Sequence, residues 1–355
     1  MRIVSLIVYV LTILAAYGGR VNPDYLTLPA LLCLAFPYFS ILTIILTVFW
    51  GCFRKFIFCA LGVVTILICL NPLSEVFPLG SRREIINQEN TFKIISWNVL
   101  HAQDIRQSNP PSNRALEYII NSNADVVCLA ELKDFSTGEI PNLTPELRDS
   151  LFAAYPYQAG INSTFLKVLS KYPVERMEKG SYNSSLYSGF DFFKIRFPEN
   201  HELIVGMVHL YSYGLSPEER MVVTEINSVE TAKTSVEELK GSIRQKLRTA
   251  FRQRALEAEK LREVINEIPK DKPLIICGDF NDVPTSWTYN IIRADDLRDA
   301  YVETNFGPTI TYNLHAFYFH IDQMLYRGPL EAVDLNVGKI NSSDHYPLIG
   351  EFEFK

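Results

Sequence analysis

Residues 26–50 run for 25 positions without a charged side chain, and at about 1.5 Å of rise per residue a helix of that length crosses the hydrocarbon core of a bilayer. Shorter apolar stretches flank it at 3–17 and 56–70, 15 residues each. They reach spanning length when Gly18 and Gly19, or Asn71 to Leu73, are added to them. The first 80 residues hold four Lys or Arg (Arg2, Arg20, Arg54, Lys55) and two acids (Asp24, Glu75). This pattern predicts a transmembrane region of three helices over residues 1–80, with the lipid bilayer as its partner. Arg2 and the small pair Ala15–Ala16 also fit a cleaved signal peptide for the first stretch, but two further apolar stretches would keep the chain anchored. Arg2 and the Arg54–Lys55 turn fall on one side of such a bundle, and Arg20 with Arg82 and Arg83 on the other. The free amine and the tight basic turn assign the first side to the cytoplasm. The expectation is an integral protein of the cell or inner membrane, with its large remainder outside the cytoplasm.

That remainder has a different character. Of the chain's 34 Lys+Arg and 40 Asp+Glu, 30 and 38 lie from residue 81 onward, a formal charge of −8. A uniformly basic nucleic-acid surface is excluded, since phosphate neutralisation needs clustered Lys and Arg, although a local patch stays compatible. Six cysteines (Cys33, Cys52, Cys59, Cys69, Cys128, Cys277) show no CxxC or other metal spacing. They read as free thiols acting as small apolar groups.

Residues 81–90 form a polar linker to a 91–355 domain. Short apolar runs predict strands at 92–97, 126–130, 167–170, 190–196, 203–208, 273–277, 321–326 and 348–354. Helices are expected at 111–121, after a Ser-Asn-Pro-Pro entry, and along 216–267. In the latter Leu247, Phe251, Ala255, Ala258, Leu261 and Ile265 recur at helical spacing, and the earlier part, 217–240, reads as an excursion. Mixed strands and helices over this length predict an α/β fold, a four-layer α/β sandwich of two mixed sheets flanked by helices.

Acidic and amide side chains stand at the ends of these runs: Asn98 in FKIISWNVLHA, Glu131 in DVVCLAELKD, Asp279 and Asn281 in PLIICGDFNDVP, and Asp344 and His345 in NSSDHYPL. Ends of sheet strands are where α/β folds collect functional groups. Singly each residue reads as a turn former. Together, and in this order, they read as oxygen ligands for a hard divalent cation.

The ordered set SWNV, ELKD, SKYPV, MVHLYS, GDFNDVP, GPTIT, HIDQMLY and SSDHYPL resembles the endonuclease/exonuclease/phosphatase family, the deoxyribonuclease-like metal-dependent phosphoesterases, over residues 92–354. GDFN and SDHYPL are the specific segments. The resemblance implies strand-end loops that form one cleft, with Mg²⁺ or Mn²⁺ as cofactor. It makes Glu131 the principal metal ligand, with Asn98 and Asp344 helping to hold the metal or its waters. Asp279 resembles the general base and Asn281 the residue that orients the water or a phosphate oxygen. His345 looks like the histidine at the scissile phosphate, with Asp322 as its carboxylate partner. His209 matches a second histidine that stabilises the phosphate or assists the leaving oxygen. Hydrolysis at phosphorus needs a base, a cationic clamp and help for the leaving group, and this set supplies all three.

Met207 departs from the Asn that many relatives carry two residues before the histidine, and His320 stands where Arg or Lys is common. His101, His201 and His315 read as surface or loop residues, and Lys133 and Arg254 as solvated charges. The expected function is hydrolysis of a phosphoester, with a lipid or inositol phosphate favoured by the anchor. A membrane-anchored nuclease is the alternative, for which Tyr182, Tyr187, Tyr211 and Tyr213 could stack on bases. A non-catalytic membrane scaffold is the contrasting class, and the intact set of carboxylates speaks against it. The substrate partner is thus a lipid, nucleic acid or small phosphate ester; no protein partner is evident.

Overall fold

The computed structural model describes residues 1–106, 112–135, 139–160, 165–183, 185–214, 233–314 and 317–355, with backbone alone at 233–240 and 317. Its N-terminal region is helical: α1 (Arg2–Tyr17), α2 (Leu28–Cys52), α3 (Phe56–Ile68) and α4 (Leu70–Val76). Polar side chains on these apolar helices answer one another, as backbone-rich, water-poor surroundings require. Thr12 Oγ1 lies 2.7 Å from Thr43 Oγ1, and Trp50 Nε1 donates to Ser5 Oγ at 2.9 Å. The stretches Arg2–Arg20 and Leu28–Cys52 are long and apolar enough to cross a membrane.

The third apolar stretch differs from the expected continuous helix: α3 and α4 meet at a 67° bend. Pro72 explains it. Proline has no N–H for the carbonyl four residues back, and its ring crowds that carbonyl. The carbonyl in question belongs to Ile68, and the Tyr17 hydroxyl donates to it at 2.6 Å. The two pieces together make a third span only as a broken helix.

From residue 91 the order is β1 (Thr91–Asn98), α5 (Arg114–Ser122), β2 (Val126–Ala130), α6 (Pro145–Ala154), β3 (Tyr157–Ala159) and β4 (Lys167–Ser170). Next come β5 (Val174–Arg176), β6 (Ser181–Asn183), β7 (Ser188–Arg196), β8 (Glu202–His209), α7 (Lys233–Glu267), β9 (Leu274–Asp279) and α8 (Trp287–Arg293). The chain ends with β10 (Arg298–Asp299), α9 (Ala300–Thr304), β11 (Tyr312–Leu314), β12 (Phe317–Phe319), β13 (Asp322–Arg327), β14 (Leu330–Val337) and β15 (Leu348–Phe354). One sheet has the order β14-β15-β1-β2-β4-β3 and the other β10-β13-β9-β8-β7-β5, with β6 on β7. The first sheet pairs β1 with β2 in parallel, the second β8 with β9, and the remaining ladders of both are antiparallel. Both sheets are therefore mixed, as expected.

Alternation along the central strands builds the layers. Ile94, Val126, Cys128 and Phe352 face Phe193, Val205 and Cys277 between the sheets. Their neighbours Ile95, Val127 and Leu129 turn outward under Leu116 and Ile119 of α5 and Leu151 of α6. On the other side Ile204 and Ile276 pack under Ala258, Leu261 and Ile265 of α7 and Tyr289 of α8. The four expected layers are helix, sheet, sheet, helix. Within the expected 216–267 helix, residues 215–232 lie outside the described residues and α7 starts at Lys233. The expected helix at 111–121 begins later, at Arg114, because the Asn113 side chain accepts from the Leu116 N–H and caps it there.

All six cysteines are free; Cys33, Cys69, Cys128 and Cys277 are buried, while Cys52 is exposed and Cys59 half-buried.

The helical region is docked on the sandwich. A Cβ on Gly19 would stand 1.8 Å from the Thr285 carbonyl oxygen, so only glycine permits this approach. Asp24 pairs with Arg252 at 2.6 Å, and Glu75 with Arg293 at 3.0 Å. Cys33 of α2 packs against Val283 and Ile321. The 81–90 stretch is also tied down: the Arg83 N–H donates to the Val333 carbonyl at 2.8 Å, and its guanidinium meets Glu331 and Glu303.

Candidate active site

Strand register brings the polar set together. His209, Asp279 and Asp322 are successive Cα partners across β8, β9 and β13. From the facing sheet come Asn98, the last residue of β1, and Glu131, directly after β2, while Asn98 is the partner of Ala130. The turn before β15 adds Asp344 and His345. Gly278 makes the β8–β9 approach possible, since its φ is +140° and a Cβ would stand 1.9 Å from the Val208 carbonyl oxygen. Glu131 and Asn281 turn the chain at once after their strands with φ of 54° and 52°, a left-handed conformation that costs a non-glycine residue about 1–2 kcal/mol.

The contacts form one network. Asn98 Nδ2 donates to Glu131 Oε1 at 2.9 Å and to Asp279 Oδ2 at 3.2 Å, which links the two sheets. The Asn281 backbone N–H donates to Asp279 Oδ1 at 2.7 Å, and its side-chain amide donates to Asp279 Oδ2 at 3.0 Å and to the Leu210 carbonyl at 2.9 Å. His345 Nδ1 lies 2.8 Å from Asp322 Oδ2, and its Nε2 lies 3.6 Å from Asp279 Oδ2. His209 Nε2 is 3.1 Å from Glu131 Oε1 and 3.9 Å from Asp279 Oδ2. The Ser343 hydroxyl donates to the Asn98 carbonyl at 2.8 Å and lies 3.3 Å from Asp344 Oδ1, so it ties the last turn to β1. The eight residues expected at the site come together: Glu131, Asp279, Asn281, Asp344 and His345 line one cleft, and Asn98, His209 and Asp322 contact them from behind.

Burial sets the electrostatics. It disfavours charge on Glu131, but His209 and Asn98 outweigh that and hold the carboxyl at about 2. Burial pushes Asp279 up, His345 pulls it down and Asp322 raises it again, for a result of about 6. Burial opposes a proton on His345, but Asp322 and Asp279 raise it well above the ordinary imidazole value. Burial likewise opposes a proton on His209, and Glu131 reverses the direction. Carboxylates thus raise both imidazoles above their ordinary value.

The cleft has a volume of about 360 Å³ and is lined by Leu31, Leu34, Leu100, Glu131, Ser212, Tyr213, Gly214, Leu247, Asp279, Asn281, Tyr312, Phe319, Ile321, Asp344 and His345. Among the described residues no Lys or Arg lines it. Glu131, Asp279, Asp322 and Asp344 thus face only two imidazoles, a surplus of negative charge that suits a divalent cation with oxygen ligands. A second grouping, Asp279, Asp322 and His345, has ligand atoms within 4.8 Å of one another. There the Asp322–His345 pair is closed at 2.8 Å, whereas the Asn98 and His209 contacts of Glu131 both fall on its Oε1.

Other residues depart from expectation. Arg254 is not a solvated charge: it is fully buried, donates to the Tyr211 carbonyl at 2.9 Å, and lies over the Tyr213 ring at 4.3 Å. Tyr213 carries that guanidinium over its ring and Phe251 edge-on, while still lining the cleft, and Tyr182 packs on the inter-sheet core. Of the four tyrosines only Tyr187 is exposed, at 55 %. Lys133 lies 3.6 Å from Glu139. His320 packs edge-on to Tyr301 at 5.2 Å, away from the polar network, and Met207 is a core residue. His101 lies in the Glu131 turn, its N–H donating to the Glu131 carbonyl at 2.7 Å, His201 stacks on Phe354, and His315 lies outside the described residues.

Three contributions went unassigned in the sequence. Thr311, the last residue of GPTIT, accepts from both the Ile321 and Asp322 N–H groups at 3.0 Å and so sets the Asp322 carboxylate. Tyr312 packs edge-on to His345 at 5.0 Å. Leu31 and Leu34 come from α2, and no local signal marks them as part of a cleft.

The family model described as "Endonuclease/Exonuclease/phosphatase family" matches residues 95–345, and a domain of unknown function (DUF8431) matches residues 1–76. No curated protein matches the chain. Among solved structures, the chain is similar to the endonuclease/exonuclease/phosphatase of Beutenbergia cavernae DSM 12333, at 16% identity and TM-score 0.47, covering 75% of this chain and 72% of that one. It is also similar to the human Nocturnin catalytic domain with bound sulfate anion, at 16% identity and TM-score 0.49, covering 77% and 98%. A third is ANGEL2, described as a 2',3'-cyclic phosphatase, at 18% identity and TM-score 0.45, covering 76% and 97%.

Proposed function

This chain belongs to the endonuclease/exonuclease/phosphatase family, and from that premise we infer that it hydrolyses a lipid or inositol phosphoester with Mg²⁺ or Mn²⁺ bound in the Glu131 cleft. The observation that carries the reading is the network in which Asn98 joins Glu131 of one sheet to Asp279 of the other. Glu131, Asn98 and Asp344 would hold the cation. When bound, it neutralises charge on the non-bridging phosphate oxygens. Asp279 takes the proton of the attacking water, and the two bonds from Asn281 fix the direction in which its carboxylate points. His345, oriented and kept protonated by Asp322, faces the scissile phosphate as a cation and donor. His209, paired with Glu131, places a second imidazolium beside the phosphate.

A cleft without Lys or Arg among its described lining residues favours a lipid or small phosphate ester over a nucleic-acid strand, which would be expected to track a basic groove. The test is a panel of phospholipids, inositol phosphates, single-stranded DNA and RNA offered to the purified full chain with Mn²⁺, with Glu131→Ala as the blank. Metal-dependent turnover confined to lipid or inositol phosphates supports the reading. Preferred cleavage of DNA or RNA would restore the nuclease alternative.

A further inference from the structure

The wall of the cleft opposite the catalytic carboxylates is contributed by a helix long and apolar enough to cross a membrane. Leu31 and Leu34 of α2 line the cavity that holds Glu131, Asp279 and His345. Positions 31, 34, 38 and 41 fall on one helical stripe, at spacings of three, four and three. The last three of them line a second cavity of about 230 Å³, together with Pro37, Ile310, Tyr318 and Phe319. Leu34 and Phe319 border both cavities, so the two lie side by side along α2. From Leu31 to Ile41 the stripe is about 15 Å long at the helical rise.

Its surroundings point to the membrane. On the sandwich side of the groove, Ile310 and Tyr318 are exposed, and the neighbouring Phe306 is 80 % exposed. Large apolar side chains left open beside a membrane-length helix suit the acyl and head-group region of a bilayer, where Tyr and Phe are stable at the boundary. The charged groups gather at one end of this path, and the other end is lined by Pro37, Tyr38, Ile41 and Ile310.

We propose that α2 forms the tail site of the enzyme: the substrate is a phosphoester of a long-chain lipid, drawn from the bilayer with its phosphate at the Glu131–Asp279–His345 end and its hydrocarbon chain along Leu34, Tyr38 and Ile41 against Ile310 and Tyr318. This rests on the phosphoesterase reading above and adds the chemical class of the substrate. It gives the helical region a part in recognition as well as anchoring.

The experiment measures kcat/KM of the full chain, in one fixed detergent with Mn²⁺, on p-nitrophenyl alkyl phosphates from ethyl to dodecyl, the longest of which matches the stripe. If the chain is buried in the groove, kcat/KM rises by up to about fourfold per methylene. Ile41→Trp, which fills the groove from an exposed position on α2, lowers the dodecyl-to-ethyl ratio at least tenfold relative to the unaltered chain, and Ile310→Asp on the facing wall does the same. A ratio near one in the unaltered chain, or one unchanged by both variants, overturns the tail site while leaving phosphoester hydrolysis intact. Absence of turnover on every ester, the ethyl compound included, overturns the phosphoesterase reading and this proposal with it.

Discussion

Asp322 and His345 meet at 2.8 Å inside the cleft, and the carboxylate does its work through the ring. Asp322→Asn keeps the volume but removes the charge that holds the imidazolium. The expected outcome is a fall of about 10²–10³ in kcat with KM little changed, read by steady-state kinetics; a loss confined to KM would contradict the assigned part. Glu131 and Asp279 separate differently. Because loss of even an outer-sphere partner costs about 10–100-fold in metal affinity, Glu131→Ala raises the Mn²⁺ concentration for half-activation at least about tenfold. Asp279→Ala leaves that concentration nearly unchanged and lowers kcat about 10²–10⁴-fold. The polar set was legible in the sequence because each member ends an apolar run, and strand ends are read from patterning alone. Thr311 and Arg254 were not. The first acts through one hydroxyl on two N–H groups of a distant strand, and the second sits in a charged helix where nothing local distinguishes a buried guanidinium from a solvated one.

At the level of elements, α7 is stapled to β13 through Asp296, whose carboxylate meets Arg262 at 2.7 Å and also bonds Arg327. Burial works against that carboxylate's charge, but Arg262 and then Arg327 outweigh it and lower its pKa. A lowered acid stabilises the fold above its unfolded value, near 3.9, and loses that contribution as pH falls through the folded value. Asp296→Asn should therefore destabilise the chain at pH 6 in urea unfolding, and the difference from the unaltered chain should shrink as pH falls below about 3.9. A difference that persists in strong acid would show that the charge is not its source. The eight expected strands are all present, since full burial on two faces writes an unmistakable apolar run. Residues 330–337 escaped notice because the register shifts between Ala332 and Asp334 and breaks the alternation. The helix Pro145–Ala154 was announced only by its Thr144 cap, and α3–α4 was misread as continuous because Pro72 acts through geometry, not hydropathy.

Across the whole molecule, the cleft and the helical region share a wall, and this the sequence could not have told: Leu31 lies 100 positions from Glu131 and 314 from His345. The charge distribution does make one large-scale prediction. If Arg2, Arg54 and Lys55 set the orientation by holding their side in the cytoplasm, protease added on the opposite side of the membrane should trim the chain to a fragment containing the first 80 residues. Protection of the sandwich from the protease would reverse the orientation. Under the proposed function, carboxylates and imidazoles from two sheets act on one metal-assisted phosphoester. Release of p-nitrophenolate from bis(p-nitrophenyl) phosphate by the purified full chain tests it most directly. The predicted result is turnover that requires Mg²⁺ or Mn²⁺, stops with EDTA, and is lost in Asp279→Ala; no metal-dependent release, or undiminished rates in both Asp279→Ala and Glu131→Ala, would contradict it.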